Sequence, residues 1–313
     1  MTAPATPLPG ADALVRERPA SLWRDTLGSI LRQRNAVLGL LILGAFVFVA
    51  LFADLVATHD PNETLLGIEP GVERRDGSCI HLLGCPAEKP EHIFGTDGNF
   101  RDVYSRVIHG ARVSLAIGLA AITFAILVGT TIGAVAGYVG GWLDTILMRL
   151  MDVVLAFPSL LLAIAIVTAL GQSLVNALLA IGVVSVPIYA RVVRSSVISA
   201  RENDYVTASR ALGESGLGIL MRRIMPNSLT PLVVQGTLGI GGAVLEIAAL
   251  TFVGVTGSLT VPEWGSMIAL ERNQLFNAPH IIVFPGLAIT LTVLGFNLLG
   301  DGLRDALDPR LNR

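Results

Sequence analysis

The charge-free run from Val153 to Ala190 constrains the fold of this chain more than any other feature. At about 1.5 Å per residue, one helix over the whole run would be roughly 57 Å long, whereas the hydrocarbon core of a bilayer is about 30 Å thick. The run must therefore fold back on itself. Its one polar, glycine-bearing break is Gly171-Gln172-Ser173, so we predict a turn there between two spans.

Four further charge-free runs cover residues 36–53, 113–143, 224–245 and 281–300. The composition is typical of an integral membrane protein, because 52% of residues are hydrophobic and only 15% are charged. We predict an all-α polytopic membrane protein with six transmembrane helices. The predicted spans lie near residues 36–57, 112–137, 144–170, 174–191, 229–254 and 281–299.

Arginines set the predicted orientation. The N-terminal tail, residues 1–35, carries five, and six more face three acidic residues between Arg191 and Arg223. The tail arginines are Arg16, Arg18, Arg24, Arg32 and Arg34. By the positive-inside rule, both termini are expected in the cytoplasm, including the C-terminal tail 301–313. Residues 58–111 then form an extracytoplasmic loop, called here the outer loop. The tail has no apolar core, so we expect no cleavable signal peptide and an uncleaved first span.

The chain contains two cysteines, Cys79 and Cys85, both in the outer loop. An extracytoplasmic loop permits a disulfide, which we favour over a metal site that would use the cysteines with His81 or His92. A solvated or capping role is expected for all five histidines, which are His59, His81, His92, His109 and His280.

Glycines recur every four residues at Gly129, Gly133, Gly137 and Gly141. This spacing predicts a helix face that packs closely on a neighbour, and a smooth pore lining is the alternative. Pro158 and Pro187 lie within predicted spans, where kinks or short unwound stretches are expected.

Glu246 lies deep in the fifth predicted span, where a carboxylate is expected to avoid lipid. It is our candidate for the translocation path, and a hydrogen bond between two helices is the equally weighted alternative. Nearer a helix end, Arg149 and Asp152 stand three residues apart, and a local ion pair is expected between them.

Several catalytic motifs are missing from the sequence. Lys89 is the single lysine, so no phosphate-binding loop with a Lys-Ser/Thr ending exists. The sequence also lacks H-E-x-x-H, G-x-S-x-G and a Cys/His cluster with zinc spacing. We therefore predict that the chain is not an ATPase or another enzyme, and that it binds no cofactor, metal or nucleic acid.

The polar segment between the fourth and fifth spans predicts a short helical hairpin. Its first helix covers Asp204 to Leu212 and its second Gly216 to Ile224, with a break at residues 213–215. Pro226 is expected to end the unit.

This hairpin resembles the cytoplasmic signature of the permease subunits of binding-protein-dependent ABC importers. That signature runs Glu-Ala-Ala, three residues, Gly, then a hydrophobic-Pro ending, and here Thr207-Ala208-Ser209, Gly213 and Met225-Pro226 keep its spacing. Thr207 replaces the glutamate, Ser209 replaces alanine and Arg223 replaces an aliphatic residue. These departures leave the helix-Gly-helix frame intact.

Three other stretches resemble the second of the two paired permeases of the dipeptide/oligopeptide group. They read FGTDGNFRDVYSRVIHGARVSLAIG, FVGVTGSLTVPEWGSMI and FNLLGDGLRDALDPRLNR. Together with the hairpin they cover the chain from about residue 36 to its end. The insertion that holds the two cysteines departs from this pattern.

The resemblance implies a type I ABC importer permease fold in the bacterial inner membrane, with a permease core over residues 112–300. It implies a heterodimer with a second permease, two ATPase subunits that carry ATP and Mg, and an external solute-binding protein. A coupling loop near residues 192–228 would dock the ATPases through Asp204, Tyr205, Thr207, Ala208, Ser209, Arg210, Gly213, Arg222, Arg223 and Pro226. The outer motif would comprise Gly95, Thr96, Asp97, Arg101 and Asp102.

Pro262, Glu263 and Trp264 would form an outer scoop near the pore mouth, with an interfacial tryptophan anchor as the alternative. Two other protein classes remain open. A secondary transporter would use Glu246 and Asp152 as ion sites, and a membrane enzyme would need a nucleophile and a base. Within the importer class the solute is a di- or oligopeptide, or else nickel, glutathione or an oligosaccharide.

Overall fold

The computed structural model describes residue 28, residues 31–257 and residues 260–307 of the chain. The regular secondary structure of these residues is helical, apart from two isolated β-bridges in the outer loop. The helices are α1 Arg34–Leu51, α2 Ala53–Val56, α3 Val103–Val139, α4 Gly141–Leu155, α5 Ser159–Leu170, α6 Leu174–Arg201, α7 Asp204–Ala211, α8 Gly216–Ile219, α9 Met225–Val253, α10 Trp264–Glu271 and α11 His280–Leu307. The tail arginines Arg16, Arg18 and Arg24 and residues 308–313 lie outside the described residues.

Five helical segments of the described chain are long and apolar enough to cross a membrane. They are α1, α3, α6, the continuous segment from α8 through α9, and α11. The predicted third span differs from the expectation of one helix over residues 144–170, because α4 and α5 meet at an angle of 92°. Pro158 disfavours a helical conformation for Phe157, so the chain breaks between the two helices. A sixth span exists if this bent pair crosses the membrane as a unit.

Most helices extend beyond the apolar runs that predicted them. The α3 helix begins at Val103 because the Asp102 side chain accepts a 2.7 Å hydrogen bond from the backbone N–H of Ser105. The α6 helix runs on to Arg201, ten residues past its predicted end, and contains Pro187 without a break. Polar residues therefore continue these helices where hydropathy alone placed their ends.

The α3 and α6 helices share the most extensive interface of the fold. Residue numbers increase together along it, so the two helices run parallel. A side chain at Gly133 would lie 2.3 Å from the carbonyl oxygen of Ala190, and one at Gly129 would meet the backbone of the same helix. The predicted packing face is confirmed for Gly129, Gly133 and Gly137. It does not include Gly141, which starts α4 in open space with φ +63°.

Close backbone contacts at glycines also hold α1 and α11 together, which are the first and last described helices. A side chain at Gly39 of α1 would lie 2.7 Å from the backbone nitrogen of Leu299 in α11. A side chain at Gly302 of α11 would likewise clash with Cβ of Ala36 in α1. The α11 helix also packs on α9. The backbones approach closely, which is how helices associate strongly in lipid.

The outer loop contains a disulfide between Cys79 and Cys85, whose Cα atoms are 5.4 Å apart. The backbone N–H of Cys79 donates a 2.9 Å hydrogen bond to the carbonyl of His92, so the small ring is joined to the strand-like stretch that leads to α3. The short helical turn His81–Leu83 lies inside the ring.

Protein isolated without reductant is expected to show no free thiol, because the only two cysteines are bonded to each other. Intact mass after alkylation under denaturing conditions measures this directly. The adduct of two alkyl groups should form only after reduction. Alkylation of the unreduced protein at both cysteines would contradict the bridge.

Candidate functional site

The coupling loop is a helical hairpin that lies against the ends of α6 and α9. Its first helix ends at Ala211 and its second begins at Gly216, which matches the prediction to within one residue. Gly213 has φ +81°, a left-handed conformation that glycine adopts without steric cost. The Ser215 side chain then accepts a 3.2 Å hydrogen bond from the N–H of Gly218 and caps the second helix.

Pro226 does not end the hairpin as predicted. The helix continues from α8 through a π-helical turn, Leu220–Ile224, directly into α9. Proline is tolerated here because it lies in the first turn of α9, where its missing N–H costs no regular helical hydrogen bond. The second helix of the hairpin and the span that follows it therefore form one continuous helix, Gly216–Val253.

The hairpin has a buried side and an exposed apolar side. Val206, Ile219 and Ile224 are buried against the helical core. In contrast, Leu212 is 88% exposed, Leu217 71% and Met221 59%. This loop lies between two spans rather than within lipid, so exposed apolar side chains on it indicate a surface that another protein covers.

The arginines of the loop divide into two groups. Arg223 pairs with Glu214 at 3.1 Å, and Arg201 donates to the carbonyl oxygens of Gly137 and Tyr138, both at 3.3 Å. Arg210 and Arg222 are exposed and have no ion-pair partner among the described residues. Of the other predicted docking residues, Asp204, Tyr205, Thr207, Ala208 and Pro226 are exposed and Ser209 is buried.

The predicted local pair of Arg149 with Asp152 is wrong. Asp152 accepts a 2.5 Å hydrogen bond from the guanidinium of Arg191 on α6. One helical turn further along α6, Arg194 holds Asp144 in a bidentate contact at 2.5 and 2.6 Å. Both ion pairs link α4 to α6. These charges therefore stabilise the contact between two helices, not a single helix.

An open polar groove of about 530 Å³ lies beside the hairpin. It is lined by Ser195, Ser196, Ser199, Ala200, Asn203, Tyr205 and Asn227. The Asn227 amide donates a 3.3 Å hydrogen bond to the Tyr205 hydroxyl across its edge. The groove presents hydroxyl and amide groups beside the hairpin.

The outer motif is a buried hydrogen-bonded corner at the start of α3. The Asp97 carboxylate accepts from the backbone N–H of Asn99 at 2.7 Å and from Arg101 through both its backbone, at 2.9 Å, and its side chain. Gly95 has φ +78°, and its carbonyl accepts from the N–H of Val103 at 3.0 Å. Thr96 forms a β-bridge with Asp102, so the corner fixes where α3 begins.

Sequence reasoning missed Glu271, which ties this corner to α10. Its carboxylate accepts from the backbone N–H of Gly98 at 2.8 Å and from the Arg75 side chain at 2.9 Å. A lone glutamate at a helix end has no distinctive spacing. No signal in the sequence would have found this contact.

The three residues of the predicted outer scoop, Pro262, Glu263 and Trp264, are all buried within the described fold. The Trp264 ring packs on Gly110 of α3, and its Nε1 donates a 3.0 Å hydrogen bond to the carbonyl of Val107. Because the Trp264 side chain is fully buried, it is not exposed as an interfacial anchor would be. Its contacts join α10 to α3.

Glu263 acts as the N-cap of α10. Its carboxylate accepts from the backbone N–H groups of Gly265 at 2.9 Å and Ser266 at 2.8 Å. Burial raises the pKa of the Glu263 carboxyl above its ordinary value, although these hydrogen bonds oppose the shift. The Pro-Glu-Trp-Gly turn is therefore a helix start built into the core.

Glu246 is half-buried on α9 and accepts a 3.2 Å hydrogen bond from the Ser159 hydroxyl. Ser159 is the first residue of α5, immediately after the break at Pro158. This hydrogen bond joins α9 to α5. It agrees with one of the two roles expected for Glu246, a hydrogen bond between two helices.

Residues 129–313 match the family described as the binding-protein-dependent transport system inner membrane component. This is more than half of the chain. The chain belongs to this family. Residues 21–69 of the permease also match the N-terminal transmembrane domain of oligopeptide transport permease C. The resemblance stated from the sequence is confirmed.

Individual relatives extend the match over nearly the whole permease. The dipeptide transport system permease protein of Alkalihalophilus pseudofirmus is 46% identical over 291 residues, which cover 93% of this chain and 91% of the relative. The di/tripeptide transport system permease protein of Pseudomonas aeruginosa is 42% identical, with 90% of each chain covered. The glutathione transport system permease protein of Pectobacterium atrosepticum is 38% identical, with 92% and 91% covered.

Proposed function

We propose that this chain is the permease subunit of an ATP-driven importer that moves di- or oligopeptides into the cytoplasm. The observation that carries the proposal is the coupling loop, which is anchored on its buried side and apolar on its exposed side. The names of the relatives supply the solute class. Glutathione is the second candidate solute, because other relatives are named for its transport and it is itself a short peptide.

The proposed assembly contains a second permease, two ATPases and an external solute-binding protein. It lies in the bacterial inner membrane, with six spans per permease in a type I importer fold and both termini in the cytoplasm. This chain performs no chemistry in the proposal. ATP and Mg would be held by the ATPases, and the permease would bind no cofactor.

The continuous helix from α8 through α9 gives the proposal a mechanism. When the ATPases move together, they would carry the docked hairpin, and Gly216 to Val253 would move as one body. Glu246 lies on this helix and accepts a hydrogen bond from Ser159 at the start of α5. Alternating access would then exchange the helix contacts around the path in which Glu246 is a candidate lining residue.

Leu212→Asp is expected to prevent recovery of the ATPases with the permease. The side chain is exposed, so the change should leave the fold intact while it places a charge on the proposed docking surface. The measurement is affinity purification from the native membrane in mild detergent, with protein identification and an ATPase assay stimulated by peptide-loaded binding protein.

The matched control is Leu82→Asp, which changes an equally exposed leucine in the outer loop. It should leave the ATPase subunits bound and active. Recovery of the wild-type permease alone, with uptake driven by an ion gradient, would overturn the importer assignment in favour of a secondary transporter.

A further inference from the structure

Three side chains of the outer loop converge on one point beside the start of α3. They are His59, Glu69 and His92, and one ligand-type atom from each lies within 4.8 Å of the other two. The Nε2 of His59 is 2.9 Å from one oxygen of the Glu69 carboxylate. The Nε2 of His92 is 3.3 Å from the other oxygen.

Two atoms of this cluster are buried and, among the described residues, form no hydrogen bond of good geometry. They are Nε2 of His92 and Oε2 of Glu69, which lie 3.3 Å from each other. The His92 side chain is only 3% exposed. Of the solvated or capping role expected for the histidines, the solvated role is therefore wrong for His92. A buried polar atom without a partner is costly, so this pair requires an explanation.

The Nδ1 atoms of His92 and His59 contact hydrogen-bonding partners outside the cluster. The Nδ1 of His92 is 3.0 Å from the carboxylate of Asp102, the residue that also caps α3. The Nδ1 of His59 is 2.9 Å from the Thr58 hydroxyl. A carboxylate behind an imidazole orients the ring and directs the lone pair of its other nitrogen forward, which is the usual arrangement behind a metal-binding histidine.

We propose that His59, Glu69 and His92 bind a divalent d-block cation of the zinc type. Two imidazoles and one carboxylate suit Zn²⁺, and ligand bonds of about 2.0–2.1 Å in a tetrahedron separate the ligand atoms by roughly 3.3 Å. The Nε2 of His92 is already 3.3 Å from Oε2 of Glu69, whereas the Nε2 of His59 is 2.9 Å from Oε1, so a small rotation of the carboxylate would be needed to place one oxygen at this distance from both rings. His59 and Glu69 are partly exposed, so a fourth position is open to water from the loop surface.

This site is separate from the two cysteines, which are joined in the disulfide. It differs from the metal site weighed against that disulfide, because it contains no sulfur. The cation would link residues 59 and 69 to the N-cap of α3 through His92 and Asp102. The bound cation would thus stabilise the fold of the outer loop. This role does not depend on the peptide transport proposed above.

The test uses the full-length permease complex carrying an affinity tag without histidines, stripped with a chelator and then dialysed against zinc chloride. We expect about one zinc per permease chain by elemental analysis, and a higher thermal midpoint in the zinc-loaded than in the stripped protein. Cobalt substitution should give visible absorption bands of a nitrogen- and oxygen-ligated site.

His59→Asn and Glu69→Gln are expected to lose the zinc and the rise in thermal midpoint while eluting from size exclusion like the wild type. His81→Asn, which changes an exposed histidine of the same loop, should retain both. Wild-type protein without bound zinc, or equal zinc content in His59→Asn, would overturn the proposal. The cluster would then be a protonated His92 between two carboxylates, with no metal.

Discussion

Replacing Gly133 with leucine is expected to abolish folded permease in the membrane. A Cβ at this position would stand 2.3 Å from the carbonyl oxygen of Ala190 and 3.0 Å from the backbone nitrogen of Arg194. Both obstacles are backbone atoms, so no rotamer change relieves the clash. The α3 and α6 helices would have to separate along their whole contact.

Overpacking of a tight interface costs about 1–3 kcal/mol even for small additions, and leucine adds four carbons. We therefore expect Gly133→Ala to lower the thermal midpoint by several degrees and Gly133→Leu to leave little monodisperse protein. Detergent extraction followed by fluorescence-detected size exclusion after a temperature series measures both.

Gly44→Leu is the matched control for this series. Gly44 lies in the apolar helix α1, and a Cβ there meets no atom within 4 Å. It should elute like the wild type. A Gly133→Leu protein with the wild-type elution profile and midpoint would show that α3 and α6 do not pack as described.

Gly213→Pro is expected to abolish transport while leaving the spans inserted. Proline fixes φ near −65°, whereas Gly213 adopts +81°, and it removes the N–H that donates a 3.1 Å hydrogen bond to the carbonyl of Arg210. The turn must rearrange, which moves Leu212 relative to Leu217. The two halves of the proposed docking surface would no longer match the same partner.

Gly213→Asn separates this effect from loss of glycine itself, because asparagine tolerates the left-handed conformation. No atom lies near a Cβ at this position. We expect peptide uptake in membrane vesicles to fall below detection for the proline variant and to remain near the wild-type rate for asparagine. Uptake by Gly213→Pro with both ATPases bound would contradict the role of the hairpin.

Five of the six predicted spans were predictable as apolar helices, because the transfer of about 20 apolar residues into lipid dominates local preferences. The ends of the helices were not. Asp102 starts α3 through a cap, and α6 continues through polar residues to Arg201, where hydropathy carries no information. Proline was also ambiguous from sequence, because Pro187 lies in an unbroken helix whereas the chain turns at Pro158.

The coupling hairpin was predictable because its signals are local: glycines, a serine cap and a change from apolar to polar residues. The outer side was harder. Trp264 is buried because Gly110, far away in sequence, leaves room for its ring. His59, Glu69 and His92 meet through the folding of an irregular loop. Such contacts have no period or spacing that a single sequence can show.

The unbroken passage from the coupling hairpin into α9 makes Gly216–Val253 a lever arm. The distance from Gly216 to Glu246 along the helix is about 45 Å at 1.5 Å per residue, so a tilt of roughly 5° about its lower end displaces the carboxylate by about 4 Å. That displacement exceeds the reach of its hydrogen bond to Ser159. A small tilt of this arm, driven from the hairpin, is thus enough to separate α9 from α5 at this hydrogen bond.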